Sequence, residues 1–273
     1  MSGISIVCFA ASYGVSLVLE VTRLFFRSGV RQLVIWGFAL AGLIAHTAYL
    51  TYEAQRAIES GRAPLSSWYH WLLIAGWVLA GLYLVLALSR PRTSVGLFLL
   101  PLVLALVALA WCFPHDQAFP RAQAGRAWGV AHGVALLLGT VSVFIGFASG
   151  AMYLVQSYRL KHKLPPRQGF RLPSLEWLQS ANEKAFVISS LLLAAGLLSG
   201  IILNLVKYQV PESGIPWTDP VFGTSALLLT WILGASVFNV CYRPARRGRK
   251  VAYLTMTSFA LLALALAAAL WAP

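Results

Sequence analysis

Charge is scarce in this sequence. Only 11% of its 273 residues are Asp, Glu, Lys or Arg, and just 8 are acidic. A soluble domain carries roughly 25% charged residues, so most of this surface cannot be facing water. Cysteine is scarce too. Cys8, Cys112 and Cys241 form no C-x-x-C, which removes thioredoxin-like and zinc-ribbon chemistry. Cys8 and Cys112 fall toward one membrane face, where a disulfide is permitted, but isolated small apolar packers are the plainer reading. The chain lacks a P-loop and any G-x-S-x-G, H-E-x-x-H or G-x-G-x-x-G sequence, so nothing points to a nucleotide-driven pump, a hydrolase or a dehydrogenase. Strand-like alternation is missing as well.

Long apolar runs take their place. Hydrophobic residues make up 59% of the chain, and its mean hydropathy is +0.75. Runs lie near 4–22, 32–54, 69–89, 94–113, 129–157, 185–206, 221–241 and 251–271. All but the fifth are close to the ~20 residues that a helix needs to cross a bilayer, the long fifth run being expected to project beyond it at its cytoplasmic end, and barrel strands would be far shorter. The expected fold is all-α: a polytopic bundle of about eight transmembrane helices forming a single transmembrane domain over 1–273. The first run has no basic leader and no A-x-A site, so it reads as a retained helix rather than a signal peptide.

The basic residues fall in every second gap. Arg23, Arg27 and Arg31 follow the first run, and Arg90 and Arg92 the third. Arg159, Lys161, Lys163, Arg167, Arg171 and Lys184 follow the fifth. Arg243, Arg246, Arg247, Arg249 and Lys250 follow the seventh. The remaining gaps hold Arg56, Arg62, Arg121, Arg126 and Lys207. Positive charge marks the cytoplasmic side, so both termini are expected on the outer (periplasmic) side of the inner membrane. The formal charge of +13 is spread over four short loops, which suits anionic headgroups of the lipid bilayer rather than nucleic acid.

The longest hydrophilic stretch runs from Arg159 to Lys184. Pro165, Pro166 and Pro173 keep its middle from being one helix, and Ser174 is placed to cap a short helix from Leu175. Two G-x-x-x-G patterns, Gly146 to Gly150 and Gly196 to Gly200, each end in Ser-Gly and let helix backbones approach closely. Generic packing explains them; a fixed pair of the fifth and sixth spans around a cofactor cleft is the functional version.

Ionisable groups within a bilayer are costly, so each needs a reason. His46 lies well inside the second run and looks the most buried of them. A neutral imidazole offers a lone pair to a transition metal; the plainer role is a hydrogen bond to a neighbouring helix. His132 heads the fifth run, His70 the third, and His115 follows the fourth. Four of the five histidines therefore lie in or near the outer half, which suits an outward-opening site with axial imidazoles. His70, beside Trp68, Tyr69 and Trp71, also fits an interfacial aromatic belt. Glu20, with Arg23 three residues on, reads as a snorkelling local pair.

The stretch 128–231 resembles the cytochrome c assembly membrane-protein family, meaning the CcsA, CcmC and HemX-like proteins. The resemblance rests on His132-Gly-Val-Ala and Gly146-Phe-Ala-Ser-Gly-Ala-Met-Tyr-Leu-Val-Gln-Ser-Tyr-Arg-Leu-Lys161. It continues in Arg171-Leu-Pro-Ser-Leu-Glu176, Gly196-Leu-Leu-Ser-Gly200, and Trp217-Thr-Asp-Pro220 followed by Thr230-Trp231. It implies haem held at the outer face for attachment to apocytochrome c, with other assembly proteins as partners. His132 then corresponds to an external iron ligand, and Trp217 and Asp219 to the haem-contacting loop. His46 is the candidate intramembrane ligand by position, with His70 or His115 as the substitute for a second external histidine. Between Leu203 and Pro220 there is a single tryptophan, and Val221 stands where the family has a charge. Those departures bring the chain nearest the HemX-like branch. The alternative is an accessory or regulatory membrane protein that keeps the fold without haem.

Overall fold

Eight helices and no strand occur among the described residues, which are 5–25, 30–61, 64–65, 67–91, 93–113, 127–165, 169–207, 220–241 and 249–271 of a computed structural model. The helices are α1 (Ile6–Thr22), α2 (Arg31–Glu59), α3 (Trp68–Ser89) and α4 (Gly96–Ala110), then α5 (Ala127–Lys161), α6 (Leu175–Lys207), α7 (Pro220–Cys241) and α8 (Arg249–Trp271). Six are long and apolar enough to cross a membrane; α1 and α4 are shorter apolar helices of 17 and 15 residues. Large apolar side chains such as Val18, Ile44, Val85, Leu191 and Val237 stand exposed along the helices. A lipid solvent accepts such residues without cost. These properties define a multi-pass helical membrane protein.

The helix ends differ from the apolar runs in two places. α6 starts at Leu175, ten residues before the run, so the expected short helix is the first part of a 33-residue one. No Pro or Gly stands between Leu175 and Gly196, and Gln179 donates to Glu183 at 2.9 Å one turn on. The polar turns therefore continue the helix. α2 likewise runs on to Glu59. Hydropathy reports where lipid begins, whereas backbone hydrogen bonding decides where a helix begins.

The chain divides into two compact units, Met1–Arg121 with Gln156–Ser174, and Ala122–Val155 with Leu175–Pro273. The single domain read from the sequence thus consists of two packing units. In the first, α1 lies against α2 and α4, and α3 against the same two. The inward face of α1 carries Phe9, Tyr13, Ser16 and Glu20, all at most 1% exposed. Gly42 of α2 admits the Tyr13 ring: a Cβ there would sit 2.8 Å from it.

One end of this unit is tied together by loops. Arg23 donates to the carbonyls of Thr93 (3.2 Å) and Pro91 (3.1 Å). The Ser94 amide donates to the Arg171 carbonyl at 2.7 Å, and its hydroxyl to that of Gly169 at 3.1 Å. Gly169 has φ +84° and lies against the Arg23 backbone, so a side chain there meets both strain and a clash. Three of the basic gaps come to this end.

In the second unit, α6 contacts α7 and α8, and α7 contacts α8. Glycines let α5 in close. A Cβ on Gly139 would lie 2.8 Å from the Leu193 side chain, and one on Gly196 2.9 Å from Leu136 Cγ. Gly146 and Gly150 face Thr255 of α8, with Ala185 and Asn182 of α6 alongside. Phe259 stacks on Phe147 at 4.0 Å and meets Phe144 edge-on. Trp231 donates to Ser258 at 3.0 Å. Both G-x-x-x-G patterns are thus helix contacts, and only the second is specific to the α5–α6 pair.

Candidate functional site

His46 sits on the inner face of α2 in the first unit, 0% exposed. Its ring stacks on Phe9 with centroids 4.0 Å apart and planes 3° from parallel. Nδ1 is 3.4 Å from the Tyr13 hydroxyl, while buried Nε2 has no hydrogen-bond partner among the described residues. An orphaned buried nitrogen is expensive and supplies the donor atom that an iron ligand needs. Its surroundings are closed in this structure, and a macrocycle reaches Nε2 only if the packing around it opens.

His70 lies at the end of the same unit opposite the tied loops. Ser67 caps α3, its oxygen accepting from the His70 amide at 3.4 Å and lying 2.6 Å from His70 Nδ1. Nε2 is 3.7 Å from a Glu53 carboxylate oxygen. The Tyr69 ring meets His70 edge-on, and its hydroxyl pairs with that of Tyr49 at 2.5 Å. His70 is thus held through Nδ1 by its helix cap, and its Nε2 faces the Glu53 carboxylate, a pair that is ionic only when the imidazole is protonated. The tyrosine pair links α2 to α3.

His132 belongs to the second unit, in the second turn of α5, and is half-buried. Nδ1 lies 2.7 Å from the Gly196 carbonyl and 2.8 Å from Ser199 Oγ, both on α6. A carbonyl only accepts, so Nδ1 carries the proton and Nε2 bears the lone pair. Nε2 makes no hydrogen bond among the described residues. A histidine whose Nδ1–H is bonded to a backbone carbonyl and whose Nε2 is free has the arrangement of a metal-ligating imidazole. Trp128, one turn earlier and 49% exposed, donates from Nε1 to the Ser199 carbonyl at 3.4 Å. In the sequence Trp128 stands only at the edge of the resemblance, and its i, i+4 spacing from His132 is the one signal of this contact.

The expected local pair of Glu20 with Arg23 forms, but the carboxylate does not snorkel. It is 1% exposed and turned inward. Tyr83 of α3 donates to Oε1 at 3.2 Å, and Arg23 lies 3.7 Å from Oε2. A Cβ on Gly96, the first residue of α4, would come within 2.9 Å of Oε1, so α4 begins against the carboxylate, where a helix N-terminus favours negative charge. Because three helices converge on it, Glu20 is a packing anchor.

Trp217, Asp219 and His115 lie outside the described residues. Cys8, Cys112 and Cys241 are free and exposed. No group of three or more His, Cys, Asp or Glu side chains placed to hold a metal ion occurs among the described residues. His46 and His70 share the first unit, and His132 stands in the second. No family model, curated protein or solved structure matches the chain.

Proposed function

We propose that this protein holds haem at the outer face of the inner membrane in cytochrome c assembly, with His132 as an iron ligand through Nε2. The observation that carries the reading is the fixed Nδ1–H of His132 on the Gly196 carbonyl, which leaves Nε2 as a lone-pair donor at a half-exposed helix start. Trp128 beside it offers an aromatic surface to a flat ring. The resemblance of 128–231 to the cytochrome c assembly family supports the same assignment. It adds Trp217 and Asp219 as loop contacts and apocytochrome c and other assembly proteins as partners.

The chain's own part is to orient and shield. α6 holds the imidazole plane, and Trp128 limits water at one side. Haem, when bound, supplies the redox-active iron and the groups for thioether attachment. All eight helices then cross the membrane, α1 and α4 spanning ~22–26 Å at 1.5 Å per residue, with both termini outside by the sorting of Lys and Arg.

Titration of the detergent-purified protein with hemin tests the reading. A saturable Soret shift in the parent, lost in His132→Ala, is expected. A parent that takes up no hemin sinks it and favours the haem-free accessory role.

A further inference from the structure

Gly196, Ser199 and the His132 ring form a triangle: Nδ1 to the carbonyl 2.7 Å, Nδ1 to Oγ 2.8 Å, and Oγ to the carbonyl 2.7 Å. Neutral histidine and serine bring two hydrogens to these three edges. Were the serine proton directed at an unprotonated Nδ1, the nitrogen and carbonyl lone pairs would face each other at 2.7 Å, which is repulsive. The serine hydroxyl therefore donates to the Gly196 carbonyl, and Nδ1–H points at the same pair of oxygens. Gly200 completes the seat, since a Cβ there would lie 2.9 Å from His132 Cε1. Trp128 Nε1 donates to the Ser199 carbonyl at 3.4 Å.

We propose that the Gly196–Gly200 turn of α6 is a tautomer lock, built so that Nε2 is the only nitrogen of His132 able to bind a transition-metal centre, with Ser199 as its positioning residue. The lock itself follows from the geometry; that the centre is haem iron rests on the function proposed above. An imidazole whose Nδ1–H is held by two oxygens is a stronger donor at Nε2, and its plane is fixed before the metal arrives. This gives the second G-x-x-x-G pattern a task beyond close packing. Gly196 supplies the acceptor and Gly200 the room, and the serine between them finishes the seat.

The test begins with the metal-free protein. Carrying [15N]histidine, it shows five ring systems, one per histidine, and His132 is assigned by its loss in His132→Gln. The expected pattern is the Nδ1–H tautomer in the parent and a mixed or shifted one in Gly200→Ala. A predominantly Nε2–H tautomer in the parent overturns the lock, as do parental ring shifts in Gly200→Ala. For Ser199 the probe is hemin: Ser199→Ala weakens binding about 10–100-fold, the usual cost of losing an outer-shell partner, and Ser199→Thr restores it. Unchanged affinity in Ser199→Ala refutes the positioning role. A parent that shows the Nδ1–H tautomer, loses it in Gly200→Ala and binds no hemin upholds the lock and contradicts the haem reading.

Discussion

At the scale of single residues, a few polar side chains turn inward, among them Glu20, His46 and His70. Glu20 is bound by Tyr83 and Arg23, with Gly96 leaving the space. Gly96→Ala is expected to lower stability by about 1–3 kcal/mol through overpacking against Tyr83 and Glu20. Thermal unfolding in detergent reads this directly, and a parental midpoint would show that the contact is not as tight as described. That His46 is buried was legible in the sequence from its position deep in an apolar run. The inward turn of Glu20 was not, because an Arg three residues away explains an acid at a helix end without any tertiary partner. The seat of His132 was half legible: its motif was visible, but the contact to Ser199 depends on two helices meeting 67 residues apart.

Among the elements, the connector between α5 and α6 carries tertiary hydrogen bonds over 169–171. Its 169–171 part is held to the first unit through Ser94, which donates to the Gly169 carbonyl and accepts from the Arg171 amide at 3.3 Å. Ser94→Ala removes two hydrogen bonds worth about 1 kcal/mol each, so amide exchange over 169–171 should quicken roughly tenfold or more. Unchanged exchange there would mean that the backbone bond from Ser94 N to Arg171 holds the segment alone. Helix existence and type were readable from the apolar runs throughout. The starts of α6 and the end of α2 were not, since polar turns carry no hydropathy signal yet keep the helical hydrogen-bond ladder.

For the whole molecule, the alternation of basic gaps implies an orientation, and the structure brings three of those gaps to one end of the first unit. The free cysteines give a simple test in intact cells. With single-cysteine variants, a membrane-impermeant maleimide is expected to label Cys112 and to spare Cys241 until the membrane is opened. Labelling of Cys241 first would invert the topology and move His132 to the cytoplasmic side. What the sequence could not supply at this scale is the division into two packing units, because apolar runs look alike whichever neighbours they pack against.

The most direct measurement is a reduced-minus-oxidised absorption spectrum of the protein purified from haem-replete cells, taken beside His132→Gly with and without added imidazole. The account predicts a sharp α-band in the parent, its loss in His132→Gly, and its return when free imidazole refills the ligand position. A parent without an α-band, or an α-band unchanged in His132→Gly, would contradict it.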